Sequence, residues 1–128
     1  MRVDDINIPF VDDGLIMGNW IYANFVRSIG DFMPGSEMRG GETYLSEIKF
    51  LADGGLNVKV GSGELGATSF TWSNGHILNH ADLTNSAYTI QQIDGVDYLF
   101  IEWKSGDYIF RGSDPHYYVF KREEIINE

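Results

Sequence analysis

Residues 96–121, VDYLFIEWKSGDYIFRGSDPHYYVFK, place aromatic and β-branched runs between tight-turn tetrads, and such a segment commits the chain to antiparallel sheet. Residues 96–103 form a strand-length run, and Lys104-Ser105-Gly106-Asp107 supplies turn chemistry. Residues 108–111 are read as the returning strand, and Gly112-Ser113-Asp114-Pro115 turns again into a strand over 116–121. Two or three strands of this kind are not stable alone. The remainder of the chain must therefore supply the sheet they pair with.

It does so in short pieces. Residues 1–14 are polar, hold two Asp pairs and Pro9, and read as an extended lead-in with Pro9-Phe10-Val11 as a candidate plug. A first strand spans 15–26, with Gly18 at its start and Trp20 just inside; residues 27–41 form a loop with one short helical turn before Pro34. Residues 43–51 alternate, with Tyr44, Ile48 and Phe50 on one face and Glu47 and Lys49 on the other. Ala52-Asp53-Gly54-Gly55 turns the chain into further strands at 56–60 and 68–73, separated by the glycine-rich 61–66. Asn74-Gly75 is the strongest hairpin signal and leads into 76–79. Residues 82–86 read as a polar bend, 87–93 as a strand that meets Val96 across Asp94-Gly95, and 123–128 as a solvated tail. The sum is about eight or nine strands with turn signals roughly every ten residues, the pattern of an antiparallel barrel or sandwich.

Composition agrees and removes several function classes. Aromatics at 14%, 15 glycines and 3 prolines suit many short strands, and 128 residues without a composition break suit one domain over 1–128. A formal charge of −10 without a dense Lys/Arg cluster argues against nucleic acid as a partner. The absence of cysteine removes disulfides and thiolate chemistry. No apolar run approaches the roughly 18 residues of a membrane span, and the first residues lack a basic-then-apolar leader. A cytoplasmic protein is expected on that basis, or an extracytoplasmic one if the chain was excised from a larger receptor.

Gly18-x-Trp20 at the start of the first strand resembles the opening motif of lipocalins, in which the tryptophan closes one barrel end beneath a basic residue from a late strand. Arg111 and Arg122 are the basic residues available, and Arg122 is taken as the barrel-closing partner of Trp20. A longer resemblance runs through Pro9-Phe10-Val11-x-Asp13, Phe25-Val26, Phe32-x-Pro34, Thr71-Trp72 with Gly75 and Tyr88-x-Ile90. It continues through Tyr98-Leu99-Phe100-x-Glu102-Trp103-Lys104-Ser105-Gly106-Asp107-Tyr108, Arg111-Gly112, Pro115 and Tyr117-Tyr118-Val119. These residues are similar to a family of bacterial lipocalin-like domains found in Firmicutes alone, in tandem, or attached to BlaR-type membrane metallopeptidases. The resemblance implies an antiparallel up-and-down lipocalin-like (calycin-type) barrel. It does not carry over penicillin sensing, which in the full sensors belongs to a separate acylated-serine domain.

Candidate chemistry is sparse. Gly61-x-Gly63-x-x-Gly66 copies a dinucleotide fingerprint, but the following ATSFTW is a strand rather than the helix a pyrophosphate needs. His76, His80 and Asp82 would share a face only if one strand ran unbroken through them, so surface histidines beside a turn are the default. No cysteine, nucleophile elbow or HExxH pattern is present. Glu102 and Lys104 share a face opposite Trp103, and a structural pair is favoured over a ligand contact.

The aromatics are more informative. Most must fill an interior only wide enough for its own side chains or one small ligand. A minority lining the mouth makes a mostly apolar pocket with orienting hydroxyls. The candidate ligand-binding set is Trp72, Tyr88, Tyr98, Phe100, Glu102, Tyr108 and Arg111. The expected function is non-enzymatic binding of a small hydrophobic or amphipathic molecule without cofactor or metal; the alternative is a filled barrel acting as a protein-interaction or sensory accessory domain.

Overall fold

The computed structural model describes residues 4–33, 45–60, 70–81, 83–104, 110–112, 114 and 116–122. Eight strands follow one another among the described residues: β1 Gly18–Val26, β2 Leu45–Phe50, β3 Leu56–Val60, β4 Phe70–Ser73, β5 His76–Asn79, β6 Thr84–Ile93, β7 Val96–Trp103 and β8 His116–Arg122. Consecutive strands pair antiparallel except β3 with β4, and β1 also pairs with β8, so the order β3-β2-β1-β8-β7-β6-β5-β4 is an up-and-down sheet curled on itself. The curl is closed at the β3/β4 seam by one bridge, Gly55 to Thr71, and by the Trp72 amide donating to the Gly54 carbonyl at 2.9 Å. The result is a nearly closed eight-stranded barrel.

Period-two alternation decides what fills it. Trp20 from β1, Ile48 and Phe50 from β2, Val58 from β3, Trp72 from β4, Tyr88 from β6, Leu99 and Ile101 from β7 and Phe120 from β8 belong to one buried cluster, the interior. Fully burying side chains of this size stabilises by roughly 1.5–3 kcal/mol each, which makes this cluster the main stabilising element. A bulge in β1 between Tyr22 and Asn24 shifts the register against β8. Beyond it the inward phase passes to Phe25, which packs on Tyr118.

A second cluster lies on the outer face of β1, β7 and β8, where Ala23, Tyr98, Phe100 and Val119 are covered by Phe32. Phe32 follows a 3-10 turn, Ile29–Asp31, which is the short helical turn expected after the first strand. Its ring meets Tyr98 at 4.9 Å and Phe100 at 5.7 Å.

Residues 4–13 form no regular element, yet they strap the outside of the barrel at both ends of their run. At one end the Asp4 amide donates to Leu83 O (2.8 Å), and its carboxylate accepts the Asn85 amide (3.0 Å) and Lys104 Nζ (2.8 Å). At the other, the Ser73 hydroxyl donates to Pro9 O and accepts from the Val11 amide, and the Asn74 amide donates to Val11 O. Phe10 stands edge-on to Trp72 at 5.1 Å. Position 54 must be glycine here: its φ is +91°, and an added Cβ would lie 3.0 Å from the Phe10 ring.

Three expectations are corrected. The first strand begins at Gly18, because residues 14–16 turn so that Ile16 is buried and its carbonyl receives the Trp20 indole N–H (2.9 Å). Residues 84–86 belong to β6 rather than to a bend. Their polar side chains are satisfied or enclosed: Thr84 and Ser86 are buried, and Asn85 accepts from His76 Nδ1 at 2.8 Å and donates to Asp5 O at 3.2 Å. Phe110 and Arg111 are helical, not part of a returning strand, and β7 pairs directly with β8. Tyr108, the Gly61 to Gly66 pattern, Asp82 and the 123–128 tail lie outside the described residues. Among the described residues no helix is long and apolar enough to cross a membrane.

Candidate functional site

The two ends of the barrel are built differently. One end carries the short connections 51–55, 74–75 and 94–95, while the other carries the long ones, 27–44, 61–69 and 104–115, together with the four-residue 80–83. Long loops over a rigid scaffold are where binding surfaces concentrate.

The short-loop end is sealed. Trp20 is fully buried, and the Arg122 guanidinium stacks over its ring with the central carbon 4.2 Å from the centroid. Arg122 also donates to Met17 O (2.7 Å), to Leu15 O, and through Nε to the Asp97 carboxylate (3.0 Å). One planar fork thereby ties the chain entering β1 to the start of β7. Gly18, at φ +115°, lets the chain enter beneath this side chain. Nearby, the Tyr88 hydroxyl donates to Asp13 at 2.6 Å, and the Trp72 indole donates to Leu51 O at 2.8 Å. Burial, then the bond to Asp13, push the Tyr88 phenol well above its ordinary value.

The long-loop end carries a cluster of aromatic rings. Tyr118 sits at its base, with Phe25 at 4.8 Å, Trp103 at 5.2 Å and Tyr22 at 5.9 Å, all edge-to-face. His116 stacks on Phe25 at the rim, 5.6 Å apart and 10° from parallel. Phe70 closes the β4 side, 6.5 Å from Trp103. Tyr22 is half-buried, and its hydroxyl makes no hydrogen bond among the described residues. Burial, and secondarily the Tyr118 phenol, raise its pKa. A neutral hydroxyl among apolar rings can orient a ligand by donating or accepting.

The sequence-derived set is divided by the fold. The structure brings Trp20 and Arg122 together. Trp72 and Tyr88 face the interior, but in its sealed half, with Phe50 between them at 5.7 and 6.0 Å. Tyr98 and Phe100 point the other way, into the Phe32 cluster, so they do not share a lining with Trp72 and Tyr88. Glu102 is on that outer face, 3.6 Å from Lys104, which itself reaches Asp4 and the Asn85 carbonyl. Arg111 is exposed beside Phe110, and Tyr108 is outside the described residues.

Sequence reasoning missed Tyr22, Phe25, Trp103, His116 and Tyr118 as a group. The alternation of β8 could have indicated His116 and Tyr118, but Phe25 joins them only through the β1 bulge. His76 and His80 each have a protein partner, Asn85 and Thr71 (2.7 Å), and among the described residues no three His, Asp or Glu are grouped to hold a metal. No protein-family model matches the chain, and neither a curated protein nor a solved structure matches it.

Proposed function

We propose that this chain is a non-enzymatic binding module that takes a small, partly apolar molecule into the long-loop end of a lipocalin-like barrel. The observation that carries the reading is the asymmetry of the ends: one is sealed by Trp20 and Arg122, the other ringed by Phe25, Trp103, Tyr118 and His116 above the Tyr22 hydroxyl. Apolar walls with few polar groups suit a ligand held by burial and oriented by one or two hydrogen bonds. The rings of Trp20, Phe50, Trp72 and Tyr88 occupy the sealed half, so the ligand is short and sits in the upper half.

Tryptophan fluorescence tests this. Trp20 and Trp72 are fully buried at or near the sealed end, whereas Trp103 is half-buried at the mouth. Titration with a small apolar fluorophore such as anilinonaphthalene sulfonate is expected to quench Trp103 emission by energy transfer. Trp103→Phe removes that response, and Tyr22→Ala weakens the binding. A response that survives Trp103→Phe unchanged contradicts the mouth as the site.

The close ring contacts around Tyr118 favour a second reading, in which the barrel is filled and acts as an interaction or sensory accessory domain. That reading expects no saturable response from Trp103 at all.

A further inference from the structure

The N-terminal strap does more than cover the sheet. It is anchored at Asp4 and again from Pro9 to Asp12, and among the described residues 6–8 make no backbone hydrogen bond to the barrel. The extended chain between the anchors directs Ile6, Ile8 and Phe10 to one side, as period two requires. Opposite lies the outer face of β4 and β5, where Leu78 is buried at 3% exposure and His80 bonds Thr71. Between strap and sheet runs a groove of about 440 Å³ along the β3/β4 seam. Its far wall is the β2–β3 turn, where Asp53 Oδ1 accepts the Gly55 amide (2.9 Å) and the carboxylate faces solvent at the groove edge.

We infer that this groove is a second binding site, outside the barrel and separate from the mouth, and that its ligand is an amphipathic amine. The apolar tail lies under the strap between Ile6, Ile8 and Leu78, and the ammonium head meets the Asp53 carboxylate. Three features select this class. The volume falls within the range of small-ligand pockets, and apolar side chains line both the strap and the sheet. The charged group fixed on the lining is a carboxylate, which favours a cationic head through charge-assisted hydrogen bonds. A net charge of −10 draws cations to the surface and repels the corresponding fatty acid. The strap anchors leave the 6–8 span free to lift by the thickness of an alkyl chain without breaking a backbone hydrogen bond.

Amide NMR with three probes of one chain length, n-octylammonium, octanol and octanoate, tests this on the full chain. Octylammonium is expected to shift the Gly54, Gly55, Thr71 and His80 amides together, and to bind about tenfold more tightly than octanol. Octanoate is expected to leave those amides unmoved. Asp53→Asn preserves the side-chain oxygen that receives the Gly55 amide; it should bring octylammonium down to the octanol affinity. Ile8→Asp should weaken octanol and octylammonium alike. The inference is overturned if octanoate matches octylammonium, if Asp53→Asn changes nothing, or if the shifts appear only at Phe25, Trp103 and Tyr118. The last result would leave the mouth reading standing and remove this one.

Discussion

The guanidinium of Arg122 lies 4.2 Å from the ring centroid of Trp20, while its nitrogens bond Met17 O and the Asp97 carboxylate. Leu15, Met17, Trp20 and Asp97 thus meet Arg122 at the sealed end. Arg122→Ala removes the stacking, two carbonyl contacts and an ion pair, and is expected to cost about 2–4 kcal/mol in urea unfolding. Arg122→Lys keeps the charge but not the fork, and should recover less than half of that loss.

Tyr88 and Tyr22 both have raised pKa values, Tyr88 chiefly by burial and then by its bond to Asp13. In the unfolded chain a tyrosine releases its proton near its ordinary value of 10.0. The folded state holds that proton to higher pH, so it binds more protons than the unfolded state above about pH 10. The stability linked to these groups is fully present below pH 10 and is lost as pH rises toward the folded values. Absorbance at 295 nm should show late titration for Tyr22 and Tyr88, and Tyr88→Phe should flatten the alkaline fall in stability.

Phe32 is the lid on Tyr98 and Phe100, and it is 6% exposed. Phe32→Ala is expected to cost about 3 kcal/mol and to uncover an aromatic patch on the outer wall. Urea unfolding gives the first quantity. Faster aggregation of the variant at equal protein concentration reports the second.

Much of the sheet was readable because its turns are chemically explicit. Asp94-Gly95 adopts positive φ at both positions, 52° and 80°, as a tight primed turn demands, and it joins β6 to β7 where the sequence says it should. The faces were harder. In VDYLFIEW both parities are apolar, since Leu99 and Ile101 fill the barrel while Tyr98 and Phe100 meet Phe32. Alternation is silent when a strand is buried on both sides. Phe32 arrives from a loop, and nothing in its own neighbourhood announces what it covers. The mouth was hidden for a related reason: a one-residue bulge in β1 reverses which side chains point inward, and no turn residue marks it. Residues 84–86 looked like a bend because their polarity was read as solvation, whereas their partners come from the strap and from β5.

The strap is held at its start by Asp4, whose carboxylate pairs with Lys104 at 2.8 Å, both side chains being mostly buried. Asp4→Ala leaves Lys104 with Glu102 and the Asn85 carbonyl, and should cost about 1–2 kcal/mol. Limited proteolysis should then cut within residues 5–9 sooner than in the unaltered protein, with the barrel left intact.

The central claim is that the aromatic mouth holds a small molecule. Native mass spectrometry of the protein purified from its own host, set against its denatured mass, tests it most directly. The account predicts an added mass on the native ions that disappears on denaturation and is diminished in Tyr22→Ala. Native ions that carry only the mass of the chain would contradict it.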